Sequence, residues 1–381
     1  MTHDVRCALV ALDLGLSLAG IDKAMAGQAR AAVATGTPLD VIVVNPSRSG
    51  VENGIRYLPY HADLPGRLSR LTKQRLLASV RELDAYDVVF VRYPTAVDLD
   101  PLRFIKKCGA RIVTVHHAKE VVEFLSVSRG AAGLTRAALE LVQGRRIVRN
   151  VAGIVAVTDE IRDYQLARAG HRVPGRTVSN GVDVDAIAPT RFVPYDGREL
   201  RIAFMASSHA VWHGTDRILG ALRAYRGDRR IVVDMIGQGS GTPGTEERIG
   251  DAIVKHHGML RGAALDHVLG GATLGVSTLA FHRNGLRQAA VLKTREYIAR
   301  GLPTVIGYED VDIQPGCPFV LQVPANDEPL ALEPLFAFAE RVSAEPDLAA
   351  RMRKFAEDTL DWRAKVPLFH RFAEELVSGR A

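Results

Sequence analysis

Cysteine is scarce here: Cys7, Cys108 and Cys317 are the only three in 381 residues, and none shares the short spacing of a zinc site or a disulfide framework. That excludes a disulfide-stapled secreted scaffold and predicts a cytoplasmic protein in a reducing compartment. Aromatic residues reach only 6%, and no RNP, helix-turn-helix or zinc signature accompanies them, so a nucleic-acid partner is not expected. No run of 18 apolar residues occurs, and MTHDVRCALVALDLGL lacks the basic opening and cleavage site of a signal peptide. Neither a membrane span nor a secretory leader is therefore expected. A GxGxxG fingerprint is also missing, which weakens a dinucleotide dehydrogenase reading.

What is present is a globular composition, 47% hydrophobic and 24% charged, in a chain long enough for two domains. The net charge of +6 belongs to the first half. Residues 1–187 hold 25 Lys/Arg against 19 Asp/Glu, and the remainder holds 24 of each. Such an excess favours anionic membrane surfaces or acidic acceptors.

Short, branched, continuous apolar runs alternate with helix-period segments. VRCALVAL, DVIVV, DVVFV, ARIVTV and GIVAV come first, then LRIAFM, RRIVVDMIG, ATLGVST and LPTVIG. This is the pattern of βαβ units whose parallel strands are buried on both faces. The fold class is α/β. Between the two series lies VSNGVDVDAIAPTRFVPYDGREL, rich in Gly, Pro and Asp with no apolar period, which reads as an interdomain linker. The expected domains are 1–187 and 188–360, with an amphipathic helix over 361–381 closing the fold.

The stretch AAVLKTREYIARGLPTV, residues 289–305, places Lys293, Arg295 and Glu296 on one helix that stops at Gly301 before a buried strand. Lys293 can meet a phosphate as a point charge beside free helical N–H groups. Glu296, three residues on and on the same face, can accept hydrogen bonds from a vicinal diol such as ribose. A solvated Lys–Glu pair satisfies the same spacing. In RIVTVHHAKE, His116 and His117 end a strand, where a doubly wound sheet opens onto its ligand cleft. Asn180 and Gly181 tolerate positive φ and suit a sharp turn at the domain junction.

EYIARGLPTVIG, VSNGVDVD and the strand ending at His116 together resemble the GT-B retaining glycosyltransferases of family 4. The resemblance implies two facing Rossmann-like doubly wound domains and a nucleotide-diphosphate sugar donor. Glu296 then looks like the ribose-binding glutamate, and His116 matches the histidine that reaches the donor sugar. Asn180 and Gly181 match the hinge. Gly20, in SLAGIDKAMAGQARAA, matches the glycine loop near the donor phosphate, and the backbone near Leu260 matches the segment that reads the base. The sequence also departs from the pattern. Gln288 stands for the first of the family's two glutamates and keeps hydrogen-bonding capacity without charge. In FMASSHAVWHGTDRIL, Ser208 and His213 stand for the arginine and lysine that hold the diphosphate, while Gly214 is retained. Neutralising the diphosphate then falls to Lys293, Arg283 or Arg287 with helix dipoles. Trp212 is equally well explained by packing.

Three Asp-x-Asp triplets, at 98–100, 183–185 and 310–312, lack a metal-binding context, so no metal or other cofactor is expected. The expected reaction moves a sugar from the donor to a glycan or lipid-linked acceptor in bacterial polysaccharide or glycolipid assembly. A nucleotide-sugar epimerase of the same architecture and a nucleotide-binding module without turnover are the alternatives. PGRLSRLTKQRLLASVREL and SRGAAGLTRAALELVQGRRIVRN interleave Arg and Lys with apolar residues and could lie on the inner face of a bilayer.

Overall fold

The computed structural model describes residues 5–12, 19–45, 48–59, 80–94, 100–127, 130–190, 192–239 and 241–380. The chain forms two compact units, Met1–Asn180 with Trp362–Ala381, and Gly181–Asp361.

The first unit holds eight strands in the order β3-β4-β2-β1-β5-β6-β7-β8: β1 Cys7–Leu12, β2 Leu39–Asn45, β3 Gly50–Glu52, β4 Ile55–Pro59, β5 Val88–Arg92, β6 Arg111–His116, β7 Gly153–Ala156 and β8 Gly175–Thr177. Every neighbouring pair is parallel except β3 with β4. The order reverses between β1 and β5, which makes that point the switch where doubly wound sheets bind ligands. The five apolar runs read as strands form β1, β2, β5, β6 and β7. Their continuous Val, Ile and Phe content follows from burial on both faces. The helix Trp362–Ser378 belongs to this unit, packing Trp362, Val366, Phe369 and Phe372 against Cys7, Leu9, Phe90 and Val113.

The second unit carries seven strands in the order β11-β12-β10-β9-β13-β15-β17: β9 Glu199–Ser208, β10 Arg230–Gln238, β11 Thr245–Ile249, β12 Ala252–Gly258, β13 Leu274–Val276, β15 Thr304–Ile306 and β17 Val320–Gln322. A small separate pair joins β14 Gln288–Ala289 to β16 Glu309–Asp310. This sheet reverses between β9 and β13. The segment read as a linker is packed instead: Val184, Ile187, Phe192 and Tyr195 are core residues of the second unit. The Val184 amide donates to Asp361 Oδ2 at 3.1 Å. The segment lacks a period because each apolar side chain buries individually from coil.

Candidate functional site in the second unit

Helix Leu292–Arg300 gives its three charged residues three different environments. Arg295 is fully buried, and its guanidinium donates to both oxygens of Asp310 and, at 2.7 Å, to Asp312 Oδ2. Burial alone would weaken this cation, but the two aspartates hold it firmly charged. Arg295 therefore ties the helix to the 310–312 turn. Glu296 is largely buried, with 12% of its side chain exposed, and accepts from Arg300 at 2.9 Å. Arg300 also donates to Asp266 at 2.7 Å. The carboxylate is thus held in one orientation at a partly open position.

Lys293 is buried, and among the described residues no carboxylate lies within ion-pair distance. Its ammonium lies 3.1 Å from His213 Nδ1 and 5.2 Å from the centre of the Phe204 ring. Burial pulls Lys293 down to about 7. His213 also approaches Thr278 Oγ1 at 3.3 Å. Burial, then Lys293 and His209, lower His213 to about 2, so the imidazole is neutral. A buried lysine facing a neutral imidazole, which itself meets a hydroxyl, is an incomplete charge arrangement, of the kind an anion completes.

The backbone around this cluster is shaped by Gly214. The turn Val211–His213 hands over to helix Thr215–Ala224 through Gly214 at φ 72°. A Cβ there would sit 2.8 Å from Leu279 Cβ and 3.2 Å from Ala280 Cβ. Glycine alone fits, and the helix N-terminus beyond it presents its first N–H groups. His209 joins the same rim, with Nδ1 2.9 Å from Thr215 Oγ1, and burial holds it at about 4.

Other expected residues fall elsewhere. Arg283 is bound bidentately by Asp216 at 2.8 Å, by Asp327 at 2.7 Å and by the Val211 carbonyl at 2.7 Å. Its charge is balanced by two carboxylates, so it secures the 281–284 turn instead of standing ready for a diphosphate. Ser208 is exposed at the end of β9, opposite Gln238, and Arg287 is exposed. Gln288 is half-buried in β14, paired with Glu309. Leu260 packs against the second core just after β12. Thr278 escaped the sequence reading. Its only signal was its place directly after an apolar strand, where polar residues reach the ligand edge.

The first unit treats its two adjacent histidines oppositely. His116 was expected to open onto a cleft, yet it is fully buried: Nδ1 lies 2.6 Å from Glu120 Oε1 and its ring stacks on Tyr93 at 4.4 Å. Glu120 also accepts from Gln165 at 2.5 Å and Arg168 at 3.3 Å. Arg168 donates to Glu140 at 2.7 Å, and the Tyr93 hydroxyl donates to the same oxygen at 2.8 Å. Burial would raise the Glu120 carboxyl, but His116 and then Arg168 bring it below the ordinary value. The network needs Gly144, where a Cβ would come within 2.1 Å of both Arg168 Nη2 and Glu140 Oε1. His117 faces the other way and lines a small pocket with Arg92, Gln28, Ser179 and Asn180. Extended backbone points neighbouring side chains to opposite faces, so only one of the pair can line that pocket.

Asn180 and Gly181 do not take the expected positive φ. Gly20 lies in the first turn of helix Ala19–Thr35, and residues 13–18 before it are outside the described residues. So are 60–79, most of the first basic segment, and Asp98. Among the described residues no group of three or more His, Cys, Asp or Glu is arranged to hold a metal, and no helix is long and apolar enough to cross a membrane.

Residues 19–186 match the profile of Glycosyltransferase Family 4. No curated protein matches the sequence. Among solved structures, the chain is similar to sucrose-phosphate synthase from Thermosynechococcus elongatus at 14% identity, with TM-score 0.66, over 98% of this chain and 100% of that one. It is also similar to HepE from Anabaena in complex with UDP and glucose, at 13% identity and TM-score 0.59, over 98% and 99%. The catalytic domain of starch synthase IV from Arabidopsis thaliana, bound to ADP and acarbose, matches at 12% identity and TM-score 0.63, over 99% and 100%. The architecture is thus GT-B, α/β with two largely parallel sheets. The profile match and the fold together support a glycosyltransferase.

Proposed function

We propose that the protein is a retaining glycosyltransferase that moves a sugar from a nucleotide-diphosphate sugar to a hydroxyl of a glycan or lipid-linked acceptor, in bacterial polysaccharide or glycolipid assembly, without a metal or other cofactor. The observation that carries this reading is Lys293, buried beside His213 with no carboxylate within ion-pair distance among the described residues. The transfer leaves a nucleoside diphosphate, whose growing negative charge Lys293 and the N-terminus of helix Thr215–Ala224 would stabilise. His213, neutral, would donate or accept one hydrogen bond, supplying shape where a second cation would have supplied charge. Glu296, oriented by Arg300, would hold the ribose diol. Two of the similar structures hold UDP or ADP, which supports this class of donor.

The acceptor hydroxyl would attack on the face the diphosphate leaves, with the departing phosphate taking its proton. Retention then follows without a basic side chain at the anomeric carbon, which suits the uncharged Gln288. The acceptor would be met at an anionic inner membrane surface, because helix Ala131–Leu139 and the turn after it expose apolar side chains beside arginines.

Calorimetry with UDP-, GDP- and ADP-sugars tests the donor. One nucleotide class should bind, and Glu296→Ala should weaken it about 10- to 100-fold, the range for a lost hydrogen bond to a charged group. Transfer assays followed by NMR of the product anomer then test retention. An inverted product removes the retaining mechanism, and unaltered donor affinity in the variant removes Glu296 from the site.

A further inference from the structure

The small pocket of the first unit lies at the ligand end of its sheet, beside the β1/β5 reversal. Arg92 ends β5, His117 follows β6 and Val157 follows β7. One wall is apolar, from Leu9, Met25, Trp362 and Phe369. The polar wall is built around a guanidinium: Arg92 Nη1 lies 3.0 Å from His117 Nε2. Burial, then Arg92 and His116, push His117 well below its ordinary value, so it meets Arg92 as a neutral imidazole. Glu123 acts on Arg92 only through space, and no carboxylate lies within ion-pair distance of it among the described residues. Gln28, only 8% exposed, lines the same pocket with its Oε1 unpartnered.

We propose that this pocket binds the acidic group of the acceptor, a carboxylate or phosphate ester carried on a sugar, with Arg92 as the ion-pairing residue and Gln28 as an acceptor for a neighbouring hydroxyl. A guanidinium binds either anion bidentately, which explains why an arginine is placed there. The orphaned Gln28 oxygen needs a donor, which a carboxylate or a fully ionised phosphate lacks but a sugar hydroxyl supplies. Trp362 and Phe369, both nearly fully buried, form apolar lining beside the acidic group. The narrowness of the pocket admits the acidic group, leaving the rest of the acceptor at its mouth. This inference rests on the transfer reading only for calling the ligand an acceptor.

The test uses the full chain and three probes, glucose, glucuronate and glucose 6-phosphate, titrated by ligand-observed NMR. Both acidic sugars should bind at least tenfold more tightly than glucose. Stronger binding of glucuronate assigns a carboxylate and stronger binding of glucose 6-phosphate a phosphate ester; either supports the pocket's role. Arg92→Gln should abolish the preference, and Arg92→Lys should keep part of it. The first unit's thermal transition, measured in the same samples, confirms that each Arg92 variant is folded where the pocket lies. Equal binding of neutral and acidic sugars overturns the proposal, as does a preference that survives Arg92→Gln. Displacement of the acidic sugars by UDP from an Arg92-dependent site would overturn it too, by assigning Arg92 to the donor. Failure to bind any nucleotide would defeat the donor reading and leave the acid preference to be judged on its own.

Discussion

Lys293 departs far from its ordinary chemistry, and that departure makes it measurable. An exposed lysine titrates near 10.4, whereas burial brings Lys293 to about 7. Between those values the unfolded chain binds a proton that the folded chain does not, so folding stability rises with pH across that window. The destabilising contribution is fully present below pH 7 and fades as pH approaches 10. Replacing the cation by an uncharged chain of similar length, Lys293→Met, should therefore stabilise the protein at pH 6 by up to a few kcal/mol, with the gain shrinking towards pH 10. Chemical denaturation at the two pH values reads this directly, and a pH-independent difference would mean that Lys293 keeps its charge. A diphosphate supplies the missing counter-charge. Binding of UDP-glucose at pH 8 should then draw close to one proton onto the wild-type protein and none onto the variant. Calorimetry in buffers of different ionisation enthalpy counts that proton, and equal counts would place the diphosphate elsewhere.

At the scale of elements, the helix Trp362–Ser378 shows how much the first unit depends on sequence far from its own strands. Phe369 is 2% exposed and meets the Phe90 ring edge-on at 5.2 Å. Phe369→Ala should cost about 3–5 kcal/mol, as large-to-small changes in a packed core do. A thermal melt that loses the first unit's transition while donor binding persists would locate that cost, and an unchanged melt would show the helix to be dispensable. The strands and this helix were legible because doubly buried strands must be continuous apolar runs and an amphipathic helix must repeat. The β11/β12 hairpin was not, because TEERI is polar and exposed and AIVKHHG opens with only three apolar residues, so neither carries the continuous signal. The site divides the same way. Lys293 and Glu296 were visible as charges on one helix face. That Arg295 and Arg283 are neutralised depends on Asp310, Asp312, Asp216 and Asp327, which tertiary packing alone brings to them. Likewise the choice between His116 and His117 turned on Arg92, 25 residues from His117, and on Gln165 and Arg168, which hold Glu120 beside His116 from more than 40 residues away.

At the scale of the whole molecule, the excess positive charge and the exposed apolar surface meet in the first unit. Leu134, Leu141 and Val142 are 63%, 59% and 54% exposed, and Leu125 and Leu139 are exposed nearby. The inward face of the same segment is filled by Gly133, Ala137, Glu140, Ile147 and Val148, so the leucines project where none of the described residues covers them. Arg136, Arg145, Arg146 and Arg149 are exposed along and just beyond that stripe. An identical copy packed face to face would set these arginines against one another, whereas an anionic bilayer satisfies both the charge and the apolar area. The protein should therefore co-sediment with vesicles containing phosphatidylglycerol and bind pure phosphatidylcholine far less. Each of Arg145→Gln and Arg146→Gln should remove about 1 kcal/mol of that binding, roughly fivefold, and high salt should remove most of it. Leu134→Asp with Leu141→Asp should abolish vesicle binding while UDP-sugar affinity stays intact, since both lie in the other unit from the donor residues. Indifference to lipid charge, or a dimer in solution that the leucine substitutions dissolve, would assign the stripe to a second copy of the chain instead.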